Sequence, residues 1–172
     1  GHADMYGAVI TEPVSDDADF GTFFLHNEGY SSMCGHAIIA LTKFAIETGM
    51  VKKEGDNPEL IIDVPSGKIY AKGYVKNGSV NEVSFRNVPS FVYLEDKTIE
   101  IPEIGKIKFD IAYGGAFYAF CDADDLGLDL NKKNHIRLID CGGRIKNAIM
   151  DNYEIIHPME DELLFDLLGF FV

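Results

Sequence analysis

Residues 35–48 carry apolar side chains at three- and four-residue steps, with Ile38, Leu41, Ala45 and Ile46 on one stripe and Phe44 beside them. Ala37, Ile39 and Ala40 are apolar as well, so the early turns are greasy nearly all round. Such a helix is a burial problem before it is anything else, because an all-round apolar surface has to be covered. Gly49 follows as a plausible C′ glycine. Whatever this chain becomes, it must build a cover for that helix out of its other segments.

Those segments read as strands. Val9 and Ile10 open an extended stretch that runs into a turn containing Pro13, Ser15, Asp16 and Asp17, and residues 20–26 then form a buried apolar strand, the second arm of a hairpin. Between 60 and 120 strands alternate with short turns at Pro65-Ser66-Gly67, Asn77-Gly78 and Glu103-Ile104-Gly105. Residues 111–120 read as one strand broken by the pair Gly114-Gly115, a mark of a bulge or of a close backbone approach. A second helix is predicted over 138–152 on the spacing of Ile145, Ala148 and Ile149. The composite is a single α+β domain over residues 1–172, with a mostly antiparallel sheet wrapped around a central hydrophobic helix.

The bulk numbers narrow the function. A chain of 172 residues, 47% hydrophobic, holds one ordinary core. Its formal net charge of −13 repels a nucleic-acid backbone or an anionic membrane, so neither is expected as a partner. No apolar run approaches the roughly 20 residues that span a bilayer, and the start lacks the layout of a signal peptide. Cys34, Cys121 and Cys141 show no C-x-x-C spacing, so neither a disulfide framework nor a zinc knuckle is indicated, and a cytoplasmic location is expected. The apolar ending at 167–172 is expected either to pack back onto the domain or to meet another part of something larger.

Cys34 stands out among the nucleophiles. A thiol must become a thiolate to abstract a proton, and the unpaired N–H groups and positive dipole end of a helix N-terminus favour that anion. Cys34 lies one residue before the predicted helix start, after the polar run 27–32 that is unlike a core segment. Gly35 allows close backbone approach and His36 supplies another N–H, so the same groups can hold a substrate carboxylate. Cys121, read as inside the apolar strand of Phe117 to Phe120, is expected in the core, and Cys141 is read as structural. His2, His26, His135 and His157 are read as loop or surface residues, and no pair has the spacing of a helical metal site.

Three segments together form a signature: Gly-His-Ala-Asp-Met-Tyr-Gly-Ala at 1–8, His-Asn-Glu-Gly-Tyr-Ser-Ser-Met-Cys-Gly-His at 26–36, and Ala-Tyr-Gly-Gly-Ala-Phe-Tyr-Ala at 112–119. The chain resembles the proline racemase family, which includes proline racemase, 4-hydroxyproline epimerase and trans-3-hydroxy-L-proline dehydratase. The resemblance implies a cofactor-independent enzyme, with no metal, of the diaminopimelate epimerase-like fold, in which two similar lobes each wrap a helix and the active site lies between them. It implies further that Cys34 removes the α-proton of a proline or hydroxyproline substrate while the backbone of Gly35 and His36 binds its carboxylate. The facing segment of the Asp-Arg-Ser-Pro-Cys-Gly or Asp-Arg-Ser-Pro-Thr-Gly type is absent, so the chain resembles one lobe, completed by a second lobe or a homodimer. The flank of Cys34, together with Ala37, looks more like the dehydratase branch than like the racemases. Racemisation or epimerisation, and a catalytically silent fragment, are the alternatives.

Overall fold

The alternation of Phe20, Thr22 and Phe24 puts three side chains on one face of an extended segment, and all three are buried. In the computed structural model, which describes residues 5–26, 29–159 and 167–171, this segment belongs to the first of two compact units, Gly1–Pro89 and Ser90–Val172. The first unit contains β1 (Tyr6–Thr11), β2 (Phe20–His26), β3 (Gly29–Ser31), α1 (Gly35–Glu47), β4 (Glu59–Val64), β5 (Gly67–Lys76) and β6 (Ser79–Arg86). The expected hairpin is present: β1 and β2 pair antiparallel from Tyr6↔His26 to Thr11↔Gly21.

The sheet order is β1-β2-β4-β5-β6, with β3 also on β2. β2 meets β4 in parallel at Phe20↔Ile62 and Gly21↔Asp63, and meets β3 antiparallel at Phe24↔Ser31 to His26↔Gly29. One edge of β2 is therefore shared between two strands. β3 takes the end from which the chain turns into α1.

α1 lays Ile38, Thr42 and Ala45 on one buried face and packs against β5 and β6. Gly73 of β5 makes that approach feasible, since a Cβ there would collide with the side chain of Ile46. Thr48 caps the helix, and Gly49 follows with φ of 72°, as the C′ reading expected. The all-round burial expected for α1 is not found: Ile39 and Phe44 are 43% and 49% exposed. A helix lying on one sheet covers only the face it turns to that sheet.

The predicted turn at Asn77-Gly78 joins β5 to β6, with φ of 56° and 79° at its two residues, the pair of positive values that a type I′ hairpin requires. The ladder ends beyond Arg86, where Pro89 cannot donate a strand hydrogen bond.

The second unit carries β7 (Phe91–Ile101), β8 (Gly105–Tyr113), β9 (Phe117–Phe120), α2 (His135–Asn152) and β10 (Leu167–Phe171), in the sheet order β10-β9-β8-β7. Ile107, Phe109, Ile111, Phe117 and Ala119 bury one face of this sheet, and α2, which contributes Ile145 and Ile149 to the core, packs on β7 and β10. The strands expected in one sheet are thus assorted into two, each with its own helix, within the α+β class. The stretch 111–120 is two strands, not one interrupted strand. Gly115, at φ of 102°, lets the chain reverse so that Tyr113 pairs with Phe117, and the Gly114 N–H donates to the Ala116 carbonyl at 3.1 Å. β10 joins β9 in parallel.

Candidate active site

Cys34 is the N-cap of α1, with extended backbone angles of −144° and 106° and no side-chain hydrogen bond to the helix. Its carbonyl accepts the N–H of Ile38 at 3.0 Å, the first rung of the helical ladder. The N–H groups of Gly35, His36 and Ala37 precede that rung, so they have no intrahelical acceptor and no capping side chain. The thiol is partly exposed and His36 is exposed. The structure therefore brings together the three residues singled out from the sequence, at one helix end.

Cys34 and His36 open onto a recess of about 720 Å³. Tyr6, Gly7 and Ala8 of β1 form one wall; Cys34, His36 and Ala37 form the other, which Ala40 and Leu41 continue along α1. The lining is mostly apolar, with the thiol, imidazole and phenol as its polar side chains. That is the composition of a small-ligand pocket, where few polar groups fix orientation. Tyr6 belongs to the signature at 1–8, and its neighbours in sequence assign it no role. Its ring stacks on His26, 5.8 Å between centroids and 23° between planes, a relation set by the β1–β2 register and hence invisible in a local pattern.

Gly35 has a second reason to be glycine. A Cβ at this position would lie 3.1 Å from Cζ of Phe85 on β6, so the first turn of α1 is pressed against the sheet. The loop before it is tethered as well: the Ser66 N–H, in the β4–β5 turn, donates to the Ser32 carbonyl at 3.2 Å.

The other candidates fall elsewhere. Cys121 is partly exposed where a core position was expected, because β9 ends one residue earlier. Burial, with Asp125 and Asp122 nearby, pushes its thiol up to about 12, which disfavours the thiolate. Cys141 is partly exposed on α2, and all three cysteines are free. His157, expected in a polar connection, is only 7% exposed and meets Phe91, Tyr113 and Phe117 edge-on. Its aromatic neighbours come from β7, β8 and β9, so only the assembled sheet buries it. His135 starts α2, with Nδ1 3.1 Å from the Lys132 carbonyl, and His2 lies outside the described residues. Among the described residues, no three His, Cys, Asp or Glu side chains cluster to hold a metal, and no helix is long and apolar enough to cross a membrane.

Residues 1–165 match the family model described as proline racemase. The chain belongs to the proline racemase family. It is 56% identical over 165 residues to a trans-3-hydroxy-L-proline dehydratase of Colwellia psychrerythraea, covering 96% of this chain and 46% of that protein. A second trans-3-hydroxy-L-proline dehydratase, from Bacillus cereus, is 46% identical over 163 residues, 95% of this chain and 48% of the relative. Among solved structures, a hydroxyproline epimerase of Agrobacterium vitis with bound trans-4-hydroxy-L-proline aligns at a TM-score of 0.86 and 28% identity, over 90% of this chain and 45% of that one. The α+β fold is thus that of one part of a proline racemase family protein, the diaminopimelate epimerase-like lobe implied by the signature. The chain spans about half the length of the curated relatives it matches.

Proposed function

We propose that this chain is one lobe of a cofactor-independent trans-3-hydroxy-L-proline dehydratase. Cys34, as the thiolate, takes the α-proton of the substrate, while the N–H groups of Gly35 and His36 hold its carboxylate. The observation that carries the reading is the position of Cys34 as N-cap, on the wall of a recess and ahead of N–H groups that have no helical acceptor. The electron pair left on the α-carbon forms a double bond to the β-carbon as the 3-hydroxyl, protonated from the facing side, departs as water. The enamine then becomes the cyclic imine acid by moving one proton from nitrogen to carbon. The facing acid belongs to a second lobe or a second copy of the chain, since one helix end reaches one face of the ring. Three free cysteines suit a reducing cytoplasm.

The test uses the longer enzyme that contains this lobe. Cys34→Ser is expected to abolish release of water from trans-3-hydroxy-L-proline, and unchanged turnover would overturn the reading. The likeness to the hydroxyproline epimerase structure favours a second reading, epimerisation or racemisation at the same carbon. Deuterium entering the α-position of recovered substrate, without water loss, would select it. Robust turnover of proline or either hydroxyproline by the isolated chain would exclude the remaining alternative, a catalytically silent fragment.

A further inference from the structure

Three consecutive carbonyls lead into α1, and each is held by a different donor. The Ser32 carbonyl accepts the Ser66 N–H at 3.2 Å, the Met33 carbonyl accepts the Ser31 hydroxyl at 2.9 Å, and the Cys34 carbonyl accepts the Ile38 N–H at 3.0 Å. The first donor belongs to a neighbouring turn and the third to the helix. The second is a side chain, and it is buried: Ser31 is 4% exposed at the end of β3, where it pairs with Phe24 of β2.

A buried hydroxyl needs a partner, and this one finds it two residues along its own chain. The consequence reaches Cys34 directly. A peptide unit is planar, so holding the Met33 carbonyl also sets the direction of the Cys34 N–H and of the N–Cα bond that leads to the thiol. Met33, itself 9% exposed, anchors the same peptide from its other end. The thiol is thus carried by a backbone whose preceding carbonyls are both fixed before the helix begins.

We propose that Ser31 is a positioning residue for Cys34: its hydroxyl, through the Met33 carbonyl, holds the backbone that carries the thiol at the N-cap of α1. This rests on Cys34 as the proton-abstracting group, and the test below involves no substrate. Without the hydroxyl, the Met33 carbonyl loses its buried donor, the Met33–Cys34 peptide gains freedom to rotate, and the thiol leaves the helix end for part of the time.

Threonine and valine have nearly the same shape and differ by the hydroxyl, so Ser31→Thr and Ser31→Val separate the hydrogen bond from packing. Each cysteine of the native chain is labelled with iodoacetamide at one pH and followed by peptide mass spectrometry. Ser31→Val and Ser31→Ala are expected to slow Cys34 labelling about threefold to tenfold, the scale of one buried hydrogen bond. Ser31→Thr is expected to restore it, with Cys121 unchanged throughout. Simple loosening acts in the opposite direction, because it exposes a partly covered thiol and speeds its labelling. Labelling of Cys34 as fast in Ser31→Val as in the parent, or no rescue by Ser31→Thr in a folded protein, overturns the proposal. Failure of both hydroxyl-free variants to fold, judged by circular dichroism, overturns it in favour of a purely structural role. If labelling slows as expected but Cys34→Ser leaves turnover of the longer enzyme intact, the reading of Cys34 fails and the positioning stands.

Discussion

The backbone N–H of Ser66 donates to the carbonyl of Ser32 at 3.2 Å, tying the β4–β5 turn to the peptide two residues ahead of Cys34. The turn is tight: Val64 pairs with Gly67, and Gly67 holds φ of 128° with Val88 3.3 Å from where a Cβ would be.

Gly67→Ala therefore meets both an unfavourable backbone region and a crowded neighbour. It is expected to lower stability by about 1–3 kcal/mol in urea unfolding, and to change the rate at which Cys34 is alkylated in the folded protein. Stability equal to the parent would show that the turn relaxes freely.

Gly35→Ala places a methyl group 3.1 Å from Phe85 Cζ, so the helix start or the ring must shift. A loss of about 1 kcal/mol is expected, and it should shrink when Phe85→Leu is combined with it. A double-mutant cycle measures the coupling, and additivity would mean that the ring is not what resists the methyl group.

Glu47 offers a pH test. Its carboxylate accepts the Ser79 hydroxyl at 2.6 Å, the Lys43 ammonium at 2.9 Å and the Val80 N–H at 2.8 Å, and these partners lower it from 4.5 to about 2. The folded value lies below the unfolded one, so the stabilisation is complete above about pH 4.5 and is lost as pH falls toward 2. Urea unfolding of the parent against Glu47→Gln should show a gap at pH 6 that closes over that interval, and a gap independent of pH would contradict the network.

Cys121 should resist alkylation in the folded chain. With its thiol near 12, only about one molecule in 10⁴ carries the thiolate at pH 8. Time-resolved labelling should modify Cys121 only after denaturant is added, and rapid native labelling would show that its burial and acidic neighbours do not govern it.

Much of the local structure was legible in the residues. The 3.6-residue spacing of Ile38, Ala45 and their neighbours located α1, Gly49 marked its end, and Asn77-Gly78 located a hairpin, because each signal is decided within a few residues. α2 begins three residues before the predicted start at 138, since His135, Ile136 and Arg137 open it without a capping side chain. The glycine pair at 114–115 suggested an interruption in one direction of travel. Whether a glycine bends a strand or reverses it depends on what the following residues pair with, and Tyr113↔Phe117 is a tertiary choice.

For the site, the same division holds. A thiol at the start of an apolar helix is written into residues 27–48, because helix periodicity and a polar approach loop are local properties. What surrounds that thiol follows from the packing of distant segments. Tyr6 reaches the recess through the β1–β2 hairpin, Phe85 presses on Gly35 across the β6–α1 contact, and Ser66 ties the approach loop from a turn far along the chain. These neighbours are brought together by strand register and helix packing, in which residues distant in sequence compete for the same space, so no periodicity within a single segment could have announced them.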